Sequence, residues 1–163
     1  MRKIPYLTAS IVIALDQLVK WLVLSVLHMP LRPPIEVLPF FNLVMVWNHG
    51  VSFGMFAHVD ARWPLTMLAV AVSFALLRWH GCMVKRAHPR LLPYAIATGL
   101  IVGGAMGNVI DRLRFGAVAD FLDVHIAGYH WPSFNVADAC ICTGVMLLLW
   151  CEFRYGKMEK QDS

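Results

Sequence analysis

Two aspartates with apolar neighbours carry the clearest chemical potential in this chain. Asp120 lies in Ala117-Val118-Ala119-Asp120-Phe121, and Asp138 lies in Phe134-Asn135-Val136-Ala137-Asp138. A carboxyl beside hydrocarbon has its neutral form favoured, and two neighbouring carboxyls do not readily both ionise. A pair sharing one proton can deprotonate water through one member while the other donates to a carbonyl oxygen. Spacing alone leaves a second reading open, in which these are separate interfacial carboxylates capped by helix ends. Further polar groups sit in otherwise apolar stretches. Asn108, Asp111 and Arg112 follow at i, i+3 and i+4 and share a helix face, as a solvated helix end with an internal ion pair or as the polar wall of a site. Asp16 and Lys20 are one helical turn apart. A lone charge in hydrocarbon costs about 2.5–3.5 kcal/mol on insertion scales, so these two are expected to pair, with substrate or proton handling as the alternative.

Other chemistries find less support. Asp120, Asp123, His125 and His130 are conceivable metal ligands, but in an extended strand Asp120 and Asp123 point to opposite faces. There is no HExxH, no Cys/His cluster with finger spacing and no phosphate loop. No Ser or Cys has a matching His and Asp at membrane depth, so a nucleophile triad is unsupported. Cys82, Cys140, Cys142 and Cys151 form no CxxC and read as small apolar helix residues.

The elements that must position these residues are membrane helices. The chain has 163 residues, 59% hydrophobic and 15% charged, against about 25% charged in soluble domains. About 20 apolar residues cross the hydrocarbon core. Four stretches qualify, at about 5–27, 63–79, 91–110 and 134–153, in a single membrane domain with longer loops at 28–62 and 111–133. Arg62 and Arg78 are placed to snorkel at the ends of the short second stretch. Met1-Arg2-Lys3 and the apolar run after it resemble a secretory signal, but Asp16 and Lys20 interrupt the run and no small-residue cleavage site follows, so it reads as a retained span.

The net charge of +4 does not point to nucleic acid, because the cations sit in short segments beside apolar spans. With both termini cytoplasmic, the inner segments hold Arg2, Lys3, Arg78, Lys85, Arg86, Arg90, Arg154, Lys157 and Lys160, and the outer segments hold Arg32, Arg62, Arg112 and Arg114. The positive-inside rule therefore turns the two long loops outward. In the first of them, Glu36 to Asn48 alternates with Phe41, Leu43, Met45 and Trp47 on one side, predicting one or two strands ending at Asn48-His49-Gly50. Phe53-Gly54-Met55-Phe56 reads as an interfacial segment. In the second, Phe121 to Ile126 followed by Ala127-Gly128 and Tyr129-His130-Trp131 predicts a small hairpin. Gly99, Gly103 and Gly107 recur every four residues, a face that lets another helix approach closely. The fold expected is four transmembrane helices with a small extracytoplasmic β-sheet.

Taken together, these blocks resemble the lipoprotein signal peptidases, or type II signal peptidases, of bacteria. The matching segments are Asp16-Gln17-Leu18-Val19-Lys20, Phe41-Asn42, Asn48 to Gly54, Gly103 to Arg112, Val118-Ala119-Asp120-Phe121 and Phe134 to Asp138. The resemblance implies a metal-free membrane aspartyl protease at the outer face of the inner membrane, whose substrate is a prolipoprotein carrying diacylglycerol on its lipobox cysteine. It implies cleavage on the amino side of that cysteine and inhibition by the lipopeptide globomycin. Asp120 and Asp138 match the catalytic pair; Asn48, Asn108, Arg112 and Asn135 match site-lining positions; Asp16, Lys20 and Asp111 match polar positions credited with holding structure. Two other classes make different predictions. A proton-coupled transporter built on Asp16, Lys20 and Asp138 would give flux in proteoliposomes. A non-catalytic lipid-binding or assembly subunit would tolerate Asp→Asn changes but not Gly103→Leu.

Overall fold

The computed structural model describes residues 1–50, 61–85 and 91–159. The expected interfacial segment Phe53 to Phe56 lies outside them. Among the described residues, four helices are long and apolar enough to cross a membrane. They are α1 (Ile4–Trp21), which continues through a π-helical turn at Leu22–Val26, α2 (Arg62–Lys85), α3 (Leu91–Phe115) and α4 (Val136–Glu159). A four-stranded antiparallel sheet, β1 (Ile35–Leu38), β2 (Phe41–Asn48), β3 (Val118–Ile126) and β4 (Tyr129–His130), is ordered β1-β2-β3-β4.

α3 is the axis of the bundle. It is 72% buried over its apolar window, whereas α1, α2 and α4 reach only 22%, 11% and 17%. It packs against all three, and its small residues make that possible. A Cβ on Gly103 would lie 2.7 Å from Val12 Cβ and 2.9 Å from the Ala9 backbone, and one on Gly107 would lie 2.6 Å from Asp16 Oδ2. The four-residue glycine repeat is therefore an internal seat for α1. On another face of α3, Gly104 abuts the backbone of Ala137 and the side chain of Ile141 in α4. α2 also packs against α3, and its buried residues include Thr66, Ser73 and His80 at seven-residue spacing. The hydroxyls of Thr66 and Ser73, and of Thr98 on α3, have no hydrogen-bond partner among the described residues.

α3 runs past Ile110, where the apolar stretch ends, so Asp111 and Arg112 are helical and not part of the following loop. Gly116, at φ 76°, stops the helix, with its N–H bonded to Arg112 O at 3.1 Å. A left-handed glycine satisfies a terminal carbonyl in this way without steric cost. The chain then turns directly into β3. At the far end of β3, Ala127 (φ 50°) and Gly128 (φ 82°) make the tight two-residue turn into β4.

The sheet packs over the end of α1. Val23, Met29 and Phe121 are buried together, with Leu43, Met45 and Leu122 against them. The alternation expected for β2 does not persist along the strand. Leu43 faces Leu122, but Val46 faces Asp120, so a bulge adds one residue to β2 between them. Trp47 consequently lies on the opposite face from Leu43, where its ring meets Phe115 at 5.3 Å.

Candidate active site

The bulge decides which asparagine meets which aspartate. Asn42 and Asn48 are six residues apart and would share a face in a regular strand, whereas Asp120 and Asp123 lie on opposite faces of β3. The extra residue in β2 moves Asn48 to the face of Asp120, while Asn42 stays opposite Asp123. Asn48 Nδ2 then donates to Asp120 Oδ2 at 3.0 Å, and Asn42 Nδ2 donates to Asp123 Oδ2 at 3.0 Å.

Asp138 arrives from a different element. Phe134 bonds to β3, its carbonyl accepting from Phe121 and Leu122 N–H and its own N–H donating to Leu122 O. The chain therefore enters α4 beside Asp120. Asn135 caps that helix: its Oδ1 accepts from Asp138 N–H at 3.0 Å, and Asp138 Oδ2 accepts from Asn135 N–H at 3.3 Å. This reciprocal pair is a capping box with an Asn and an Asp in its two roles. The same Asn135 donates from Nδ2 to Asp120 Oδ1 at 2.7 Å and to Asn108 Oδ1 at 3.2 Å. Asn108 in turn donates from Nδ2 to Asp138 Oδ1 at 2.7 Å. The two aspartates are thus joined by two buried carboxamides, Asn135 and Asn108.

Their environments differ. Asp120 is 2% exposed, and Asp138 is half-buried. Burial pushes the Asp120 carboxyl up to about 6, against the hydrogen bond from Asn48 and with the help of the Asp138 charge. Arg112 is half-buried on α3 and feels the charges of Asp138, Asp120 and Asp111, yet its guanidinium has no hydrogen-bond partner among the described residues.

Behind the pair lies a buried ionic cluster. Lys20 Nζ is 2.9 Å from Asp16 Oδ2 and 2.7 Å from Asp111 Oδ2, and it donates to Asn108 Oδ1 at 3.3 Å. Asp16 and Lys20 pair as their spacing predicts, and Asp111 joins them instead of pairing with its neighbour Arg112. Gln17, which the sequence did not single out, donates from Nε2 to Asp16 Oδ2 (3.2 Å) and Asp111 Oδ1 (3.0 Å) and accepts from Arg114 at Oε1. Its adjacency to Asp16 was the available signal.

On the other face of β3, Asp123 meets His130 Nδ1 at 2.9 Å, and His125 stacks on His130. Burial raises the Asp123 carboxyl, but the His130 and Asn42 hydrogen bonds outweigh it and hold it below the usual carboxylate range. These groups point away from Asp120, and no three His, Cys, Asp or Glu are grouped to hold a metal ion among the described residues.

A family model described as signal peptidase (SPase) II matches residues 8–154. A lipoprotein signal peptidase of Polynucleobacter necessarius subsp. necessarius (strain STIR1) is 45% identical, covering 91% of this chain and 90% of its own. One from Azoarcus sp. (strain BH72) is 46% identical, covering 97% and 88%. A solved bacterial membrane enzyme, crystallised in meso, superposes with a TM-score of 0.77 at 30% identity, over 92% of this chain and 87% of that one. Sequence, helices, sheet and relatives converge, and the chain belongs to the signal peptidase II family.

Proposed function

We propose that this protein is an aspartic endopeptidase of the bacterial inner membrane, which removes signal peptides from diacylglyceryl-modified prolipoproteins on the amino side of the lipid-modified cysteine. The observation that carries the reading is the meeting of Asp120 and Asp138 in one amide network at the sheet end of the bundle. That end is where a lipid-anchored substrate presents its scissile bond. Both termini are cytoplasmic and the site faces the outer leaflet, by the distribution of Lys and Arg.

The pair shares one proton. Its ionised member takes a proton from water, and the water oxygen bonds to the scissile carbonyl carbon. Its neutral member gives its proton to the carbonyl oxygen, forming a gem-diol. On collapse the leaving amine takes the proton gained from water, and the diol returns the other, so the pair regains its starting state. The more buried Asp120, with its raised pKa, suits the neutral role at the start. Asn48 and Asn135 hold Asp120, Asn108 holds Asp138, and Arg112, which feels the charge of both aspartates, lines the site for the substrate. Surrounding lipid receives the acyl chains, and globomycin competes for the same site. No step requires a metal.

The test is cleavage of a diacylglyceryl prolipopeptide by the purified protein, with and without EDTA. Asp120→Asn and Asp138→Asn should each abolish turnover in a folded protein, and EDTA should change nothing. Full activity in Asp138→Asn overturns the proposal.

A further inference from the structure

The tripeptide Val-Ala-Asp occurs twice, at Val118-Ala119-Asp120 and Val136-Ala137-Asp138. Its two copies are held alike. Ala119 and Ala137 are both fully buried, and each donates its backbone N–H to a buried carboxylate: Ala119 to Asp111 Oδ2 at 3.2 Å, Ala137 to Asp16 Oδ1 at 3.0 Å. Both of those carboxylates bind one ammonium, that of Lys20. The third acceptor on Lys20 is Asn108 Oδ1, which orients the Asn108 amide so that its NH2 group reaches Asp138. An ammonium has three protons, and all three are used.

We propose that Lys20 is a positioning residue which fixes both the spacing and the shared charge of the Asp120–Asp138 pair, through two matched arms that each end one residue before an aspartate. The inference rests on the assignment of that pair as catalytic. It goes beyond a scaffold role, because each arm ends on main chain and leaves no rotatable side chain between carboxylate and aspartate backbone. Lys20 touches neither aspartate, so it acts by placement and by field. Asp120 feels the charges of Asp138 on α4 and Lys20 on α1, Arg112 on α3 feels Asp120 in turn, and the neutral amides of Asn48 and Asn135 are in direct contact; Asp111 and Asp16 lie one step further off, on the N–H groups of Ala119 and Ala137. Lys20 contributes a positive charge that favours the ionised form of Asp120.

Two substitutions of opposite charge test this in the full-length protein. Lys20→Met should lower kcat on the order of 100-fold, the scale of an ångström-sized misplacement, with KM little changed. It should also move the pH–rate profile to higher pH, because a positive charge is lost. Asp111→Asn keeps an acceptor oxygen for Ala119, lowers kcat in the same way and moves the profile to lower pH, because a negative charge is lost. Lys20→Arg should retain the profile's position while kcat falls. A purely structural role would only scale activity with the folded fraction, leaving the profile unmoved in every variant, and that result overturns the inference. If Lys20→Met does not fold, the downward shift in Asp111→Asn still decides, and its absence overturns the inference. Asp120→Asn and Asp138→Asn are measured alongside. Activity in those variants removes the catalytic assignment, whereas their inactivity with unmoved profiles removes only the role of Lys20.

Discussion

Asp120 holds its proton more tightly than an ordinary carboxyl because water has been removed from around it. The linkage follows from the direction of that shift. A raised pKa in the folded state means the folded protein binds the proton more tightly than the unfolded chain. Its contribution to stability is therefore complete below about pH 4 and is lost as pH rises through about 6. Asp120→Asn should flatten the fall in thermal stability between those values, measured as Tm against pH in detergent, at the same time as it abolishes turnover. Asn48 acts in the other sense, since its hydrogen bond favours the ionised carboxylate. Asn48→Leu, of similar volume, should move the alkaline limb of the pH–rate profile upward, with a loss of about 100-fold in kcat, the low end of general acid–base effects.

At the scale of elements, the site depends on how closely α1 approaches α3. A side chain at Gly107 would occupy the position of the Asp16 carboxylate, and one at Gly103 would press on α1 backbone. Gly103→Leu should prevent folding, seen as aggregation on detergent extraction. Gly107→Ala should leave the bundle assembled but lower kcat by displacing Asp16 from Ala137, which the same lipopeptide assay checks. The helices and the glycine face were legible in the sequence because hydrophobic runs and four-residue repeats are local signals. So was the Asp16–Lys20 pair, at helical spacing. The bulge in β2 was not, since nothing in Phe41 to Asn48 marks an inserted residue, and with it the partnership of Asn48 and Asp120 was hidden. Gln17 offered only its adjacency to Asp16, and the two alanine N–H donors were invisible for another reason: a backbone N–H carries no signal in the residue type, and each acceptor sits on another element.

At the scale of the whole molecule, three helices surround one, and α2 is held differently from the others. Its buried residues include hydroxyls left without partners among the described residues, a loss of about 1–3 kcal/mol for each such group. Ser73→Ala should accordingly leave Tm unchanged or raise it, whereas truncating a buried group in the α1–α3 seam, as in Val12→Ala, should lower it. Thermal unfolding of the two variants in one detergent compares the two positions directly. Family membership accounts for the arrangement as a whole, but the buried polar residues of α2 are a feature for which the catalytic reading has no use.

The Asp16–Lys20 contact also bears on how the protein is made. Domains and segments emerge from the ribosome in chain order, amino-terminal first. When α1 reaches the lipid, Asp111, Asn108 and Ala137 have not yet been synthesised, and every later partner of the cluster is missing. At that moment the 2.9 Å bond within α1 is the one neutralising contact its two charges can have. The first helix thus carries its own counter-ion into the bilayer, and α3 later brings a second carboxylate to the same ammonium. Removing either charge alone would burden membrane insertion before any active site exists.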